Sequence, residues 1–424
     1  MRADQPFVVG AAMLAAALFV SSWVIVLHRV DPQREIVDTP LYQGYGDAVV
    51  LRGEVPYRDF RLEYPPGALP AFVVPSLVAT DESPDAYKRA FRWLMAACGA
   101  ATVMLALGAL LALEAGPARL VGALAFVGLW PLALGPVVLT RFDLWPSALT
   151  LGALAAFLAG RDRLGAGVLG VAVAAKLYPG VLVPLAAVWV WRRRGRRALL
   201  ACGGIFVAVL LAVFLPFFIL SPGGVTGSID RQLSRPLQIE SLGAAVLAAL
   251  HNAAGIDVEM VSSHGSQNIA GGLGDDVAAA TTGLQLAALV AVWIAFARGP
   301  ANGERLVRYA ALVLVVFVAF GKVLSPQFMI WLVPLVPLVA GRRGLAASAL
   351  LAAGLFLTQR WFPYRYWDYA LRFDEHITWI VLARDVALVA LVGVLAAPTR
   401  WARAPARTTE RVRPDRTRPA RPRS

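Results

Sequence analysis

Arg192-Arg-Arg-Gly-Arg-Arg-Ala-Leu-Leu-Ala-Cys-Gly-Gly-Ile-Phe-Val-Ala-Val-Leu-Leu-Ala-Val-Phe-Leu-Pro-Phe-Phe-Ile-Leu220 sets a short run of arginines against a long run without a charge. About 20 apolar residues in a helix cross the roughly 30 Å of hydrocarbon in a bilayer. Residues 198 to 220 are that long, and an arginine carried to the middle of the bilayer costs about 3 kcal/mol or more. The stretch therefore reads as a transmembrane helix stopped at a basic loop. It fixes the solvent in which the rest of the chain folds.

Outward from it, further spans read at 7 to 28, 89 to 113, 119 to 138, 144 to 160, 276 to 298, 306 to 321, 326 to 340, 345 to 359 and 375 to 397. The first is too long for a signal-peptide core and no small-x-small cleavage site follows it, so it reads as a retained span. Two other apolar stretches, 65 to 80 and 164 to 191, are short or interrupted. The second lies between Arg161-Asp-Arg163 and the arginines above, has arms only about 18 Å long, and breaks at Lys176-Leu-Tyr-Pro-Gly180. It is either a re-entrant hairpin or two short spans, and 65 to 80 either lies along the surface or crosses once. With 58% hydrophobic and 16% charged residues and a mean hydropathy of +0.64, nothing large is left for a soluble domain. The predicted fold class is all-α, a polytopic transmembrane helical bundle over residues 1 to 399. A disordered, Arg/Pro-rich cytoplasmic tail over 400 to 424 follows it.

The net charge of +13 does not point to nucleic acid, because the excess sits in short loops and the tail. That is the positive-inside signature. It puts Arg192 to Arg197, Arg298 to Arg308, Arg342-Arg343 and both termini in the cytoplasm of a multi-pass plasma-membrane protein. The loops at 29 to 88, 138 to 143, 221 to 275, 322 to 325 and 360 to 374 then face outward. Cys98 and Cys202 each sit in an apolar run and read as packing residues. His251 and His264, with Asp257, lack a compact ligand spacing, so neither a metal nor a cofactor is expected. Gly271-Gly-Leu-Gly274 reads as a flexible loop.

The polar residues gather in the outward loops. Asp38 and Asp47 fall on one short predicted helix ended by Arg52-Gly53. A carboxylate at an apolar boundary has the desolvated setting in which a general base is tuned. Lys176 is an ionisable residue inside an apolar stretch, suited to an anionic ligand or to an internal ion pair. Arg141 and Asp143 either pair with one another or meet a substrate. Arg231, Arg235, Gln238, Glu240 and Ser241 form a dense polar cluster suited to sugar hydroxyls and phosphate. Lys322 and Gln327 flank a Ser325-Pro326 helix start, where free backbone N–H groups favour an anion. Trp361-Phe-Pro-Tyr-Arg-Tyr-Trp367 is most simply an interfacial aromatic belt.

One ordered series of segments resembles the family 87 glycosyltransferases of the GT-C superfamily. It runs from Asp38 through Arg52-Gly-x-x-Pro-Tyr-Arg-Asp-Phe60 and Glu63-Tyr-Pro-Pro66 to Arg141-Phe-Asp143. Gly165 to Pro179 follows, ending Ala-Ala-Lys-Leu-Tyr-Pro, then Arg231 to Ser241 and Lys322 to Gln327. The resemblance implies a GT-C-like bundle with a lipid-facing cavity and with outer-surface helices in the first external loop, which favours the re-entrant topology. It implies a polyprenyl-phosphate sugar donor, usually mannose, with Asp38 at the reaction centre. The acceptor would be an extracytoplasmic glycolipid or glycan. Tyr64, Arg141, Asp143, Lys176, Tyr178, Arg231, Arg235, Gln238, Lys322 and Gln327 become the substrate-binding set. No histidine pair directly follows Ser325-Pro326, a departure from the mannosyl branch of that family. The rival class is a lipid or solute transporter, which predicts ionisable residues near mid-span and paired broken helices.

Overall fold

The computed structural model describes residues 4–29, 36–79 and 83–398. The predicted tail at 400 to 424 lies outside the described residues. Seventeen helices are described: α1 (Gln5–Arg29), α2 (Thr39–Val50), α3 (Leu69–Val78), α4 (Pro84–Ala112), α5 (Pro117–Leu134), α6 (Val137–Thr140), α7 (Leu144–Leu158), α8 (Asp162–Ala175), α9 (Val183–Leu220), α10 (Pro222–Leu233), α11 (Leu242–Ala254), α12 (Gly271–Arg298), α13 (Gly303–Ala319), α14 (Met329–Leu332), α15 (Gly341–Trp361), α16 (Tyr366–Arg372) and α17 (Glu375–Ala396). One small hairpin, β1 (Met260–Ser263) with β2 (Ser266–Ile269), completes the list. The fold is an all-α bundle, and the chain is a multi-pass membrane protein.

Among the described residues six helices are long and apolar enough to cross a bilayer, and the bent pair α15–α16, which turns by 78°, makes up to seven. The expected span at 326 to 340 is not a helix. Pro326, Pro334 and Pro337 interrupt it, and only the turns Pro326–Phe328 and Val336–Leu338 and the four residues of α14 are helical. Proline removes the N–H that an interior turn needs and clashes with the carbonyl four residues back. The apolar content of the run is spent on burial: Ile330, Leu332, Leu335, Val336 and Leu338 are all inaccessible. Nor is 271 to 274 a loop, since α12 begins there. The predicted outward loop at 221 to 275 holds two helices and the hairpin.

The stretch at 65 to 80 forms the turn Pro66–Ala68 followed by α3, together about 20 Å long and too short to span alone. The break at Gly195, with φ +80, divides α9 at its arginines, where the sequence pattern puts it. α8 and the first arm of α9 form the hairpin whose apex is Lys176. α13 runs through the middle: Leu312 to Val316 are buried on every side, as is most of the helix.

The two ends of the bundle differ in chemistry. One end is laced by arginines: Arg119 to Glu304 at 2.5 Å, Arg194 to Asp162 at 3.3 Å, and Arg192 and Arg343 donating to the carbonyls of Gly299 and Ala397 at 2.6 and 2.8 Å. The opposite end gathers Asp38, Tyr64, Arg141, Asp143, Lys176 and Gln238.

Candidate active site

Asp38 stands at the N-cap of α2, with Pro40 in the first turn fixing the entry of the helix. Its carboxylate is ion-paired with the guanidinium of Arg141, whose side chain is 5% exposed against 27% for Asp38. The Tyr42 hydroxyl donates to Asp38 Oδ2 at 3.2 Å, one turn along the same helix. Arg141 also donates to the Ile36 carbonyl at 3.3 Å, and its plane lies 6.0 Å from the Phe362 ring. A carboxylate so held is oriented by a buried cation yet open to solvent on one side. Such a group can take a proton from a hydroxyl without moving.

Beside this pair lies a second. Lys176 Nζ donates to Asp143 Oδ1 at 2.6 Å, and the Trp331 indole N–H donates to the same oxygen at 2.6 Å, while Asp143 Oδ2 has no partner. The rings of Phe142, Trp331, Tyr64 and Phe328 stand 4.7, 5.2, 5.9 and 5.9 Å from the ammonium. These faces partly replace the water that the cation loses. Arg141 and Asp143 therefore do not pair with each other; each takes its partner from elsewhere in the chain.

Close packing sets this geometry. At Gly67, a Cβ atom would lie 2.6 Å from the Ala174 carbonyl carbon and 2.7 Å from the Ala175 nitrogen. The Tyr-Pro-Pro-Gly turn thereby rests directly on the last residues of α8, and the Trp145 indole ties it down by donating to the Gly67 carbonyl at 3.0 Å. Tyr64 is thus brought beside Lys176, against Phe142 at 4.9 Å and Phe72 at 5.6 Å.

The central segment closes the third side. The Gln238 amide donates to Ser325 Oγ at 2.9 Å, and its backbone N–H to the Lys322 carbonyl at 2.9 Å. The Ile239 N–H donates to Gln267 of β2 at 3.1 Å. Arg235 is half-buried, its Nε has no hydrogen-bond partner, and it lies within electrostatic reach of Glu240, Tyr64 and Lys176. Burial lowers its pKa, with Glu240 opposing. Glu240 itself is 2% exposed. Burial raises its carboxyl to about 7, against the lowering fields of Arg384 and Arg235 and a hydrogen bond from Gln238.

The model of glycosyltransferase family 87 matches residues 62–326. The chain belongs to glycosyltransferase family 87. No curated protein matches the chain. The family-87 match takes in Tyr64, Arg141, Asp143, Lys176 and the central segment, whereas Asp38 precedes it and α15 to α17 follow it. This membership makes the chain a membrane glycosyltransferase and sets the transporter reading aside.

The predicted residues do not all converge. Tyr178 is buried, stacked on Trp331 at 4.1 Å, with its hydroxyl 3.2 Å from Ser147 and Thr150. Arg231 lies in the last turn of α10, near Tyr45. Lys322 Nζ donates to the Leu233 carbonyl at 3.0 Å, a brace for the central segment. Gln327 is half-buried in a three-residue turn, too short to present the anion-binding helix end expected there. His251 Nδ1 is 2.7 Å from the Ile256 carbonyl. No group of three or more metal-ligating side chains is found among the described residues.

Tyr42, Phe142 and Trp331 were not expected in the site, although Tyr42 follows Asp38 in the family-like series and Phe142 lies within Arg141-Phe-Asp143; Trp331 carries no signal beyond its apolar surroundings. Sequence reading also missed Arg384 and Asp385 on α17, fully buried and 2.7 Å apart. Adjacent opposite charges within an apolar span were the available signal. Arg384 donates to the Glu240 carbonyl at 2.6 Å, and the Tyr369 hydroxyl to the Ile239 carbonyl at 2.7 Å.

Proposed function

We propose that this family-87 glycosyltransferase moves a hexose, mannose by the family resemblance, from a polyprenyl phosphate to a hydroxyl of an extracytoplasmic glycolipid or glycan. The observation that carries the reading is Asp38: a partly exposed carboxylate oriented by a buried Arg141 and by Tyr42. Asp38 deprotonates the acceptor hydroxyl as it attacks the anomeric carbon, the bond from that carbon to the phosphate oxygen breaks, and the polyprenyl phosphate leaves with the electron pair. Arg235 supplies positive charge for the phosphate, and Arg141 adds to the field. Lys176 reaches the phosphate only by loosening its hold on Asp143. The arginine-laced end of the bundle supports a cytoplasmic placement by the positive-inside rule, which turns the site end outward. A donor with an apolar tail reaches such a site from the bilayer. The GT-C-like architecture inferred from the sequence is consistent with this topology.

The test is transfer by purified protein from radiolabelled polyprenyl-phosphate mannose to a membrane extract. Labelled product from the wild type, lost in Asp38→Asn, is expected. Product formed only from a nucleotide sugar, with none from the lipid phosphate sugar, overturns the donor class.

A further inference from the structure

Two carboxylates at the site end have a paired cation. Asp38 is held by Arg141, and Asp143 by Lys176. Glu240 has no ion-pair partner among the described residues, and its Oε2, like Oδ2 of Asp143, is buried without a hydrogen-bond partner. The charged and titratable groups whose fields reach it are Arg384 of α17, Arg235 of the central segment, Arg141, and Tyr366 and Tyr369 of α16.

The main chain around Glu240 is tied at three successive carbonyls. Arg384 and Tyr369 hold the carbonyls of residues 240 and 239, and the Ser241 hydroxyl donates to the Gln238 carbonyl at 2.7 Å. A buried carboxyl oxygen left unsatisfied costs about 1–3 kcal/mol. A hydroxyl from outside the protein can donate to that oxygen, and a site built to bond a hydroxyl rejects the analogue lacking it strongly.

We propose that Glu240 binds a hydroxyl of the donor hexose through Oε2 and thereby helps to select the sugar. This rests on the lipid-phosphate donor proposed above. The phosphate is drawn to Arg235 and Arg141, both within reach of Glu240, and the hexose is bonded directly to that phosphate. The sugar ring and Glu240 are therefore neighbours. Glu240 contacts substrate without taking part in bond exchange.

Thermal midpoints of the purified protein in detergent test this, read with bare polyprenyl phosphate and with polyprenyl-phosphate mannose. Both ligands raise the wild-type midpoint as mass action requires, and the sugar-bearing one raises it further. In Glu240→Ala the shift from bare polyprenyl phosphate persists and the extra increment from the sugar is lost. Glu240→Gln, which keeps an acceptor oxygen and the side-chain volume, retains part of the increment; its KM for the sugar donor rises more than tenfold while kcat changes less than threefold. An increment that persists undiminished in Glu240→Ala overturns the assignment. Loss of the bare-phosphate shift as well, in both variants, makes Glu240 structural and also overturns it. A wild type that neither ligand stabilises removes the lipid-phosphate donor and this assignment together, a failure visible without any variant.

Discussion

The guanidinium of Arg141 is clamped on the carboxylate of Asp38, and the cation is the more deeply buried of the two. The pair is therefore lopsided. Water reaches the anion, whereas Arg141 is almost wholly enclosed and depends on Asp38 as its closest anion.

Asp38→Asn should lower sugar transfer on the order of 100- to 10,000-fold, the usual contribution of a general base. It should also cost stability, because Arg141 loses its closest anion; about 1–3 kcal/mol is expected, below the 3–5 kcal/mol of a fully buried pair. Residual transfer by Asp38→Asn/Arg141→Gln should be close to that of Asp38→Asn alone, since groups acting as one unit are not additive. Near-normal turnover in Asp38→Asn would make the carboxylate structural.

Lys176→Met should destabilise the protein by roughly 3–5 kcal/mol, because it strands Asp143 in an apolar surround. Adding Asp143→Asn should restore much of the loss, as the remaining amide no longer carries a buried charge. Melting of the wild type and the two variants in detergent measures this. A single Lys176→Met variant as stable as the wild type would show that the Asp143 pair contributes nothing to folding.

Glu240 links stability to pH. Its folded pKa of about 7 lies above the ordinary glutamate value near 4.3. Between the two the native state binds more protons than the unfolded one, so stability falls as pH rises from about 4.5 through 7 and levels off above. The full span is on the order of 3 kcal/mol. Subtracting the Glu240→Gln profile from that of the wild type isolates this contribution. A difference profile flat between pH 5 and 8 would contradict it.

For topology, cysteine at Gly44, which is exposed with open space around its α-carbon, should react with an impermeant thiol reagent from outside. Cysteine at the exposed Arg196 should not. Native Cys98 and Cys202 are buried and give little background. Reversed labelling would turn the site to the cytoplasm.

Gly67→Ala should cost about 1–3 kcal/mol, the usual range for overpacking, because the new methyl meets backbone atoms of Ala174 and Ala175 that cannot swing away. It should lower transfer as well, since Tyr64 and Lys176 are positioned by that contact. Unchanged melting would mean that the turn shifts freely.

Most long helices were legible because hydropathy reports what lipid demands of a span. The same signal misread 326 to 340, since a run buried in protein and a run facing lipid are equally apolar. Its prolines were the clue. The hairpin at 260 to 269 was signalled by His264-Gly265, both at positive φ, a sequence suited to a two-residue turn. In the site, Asp38, Lys176 and Arg141 stood out because charge beside an apolar run is costly and therefore informative. Their pairing did not, since which carboxylate meets which cation depends on helix packing that spacing along the chain does not encode.

The hydrogen bond from Arg384 to Glu240 joins residues 144 positions apart. A ribosome adding about 5–20 residues per second needs roughly 7–30 s between making one and making the other. During that interval the central segment has its partners at Ser325 and Lys322 only once those residues emerge, and lacks its final tie until α17 is inserted. The newborn enzyme thus carries every residue of its candidate site for some seconds before it has the last one that holds them in place.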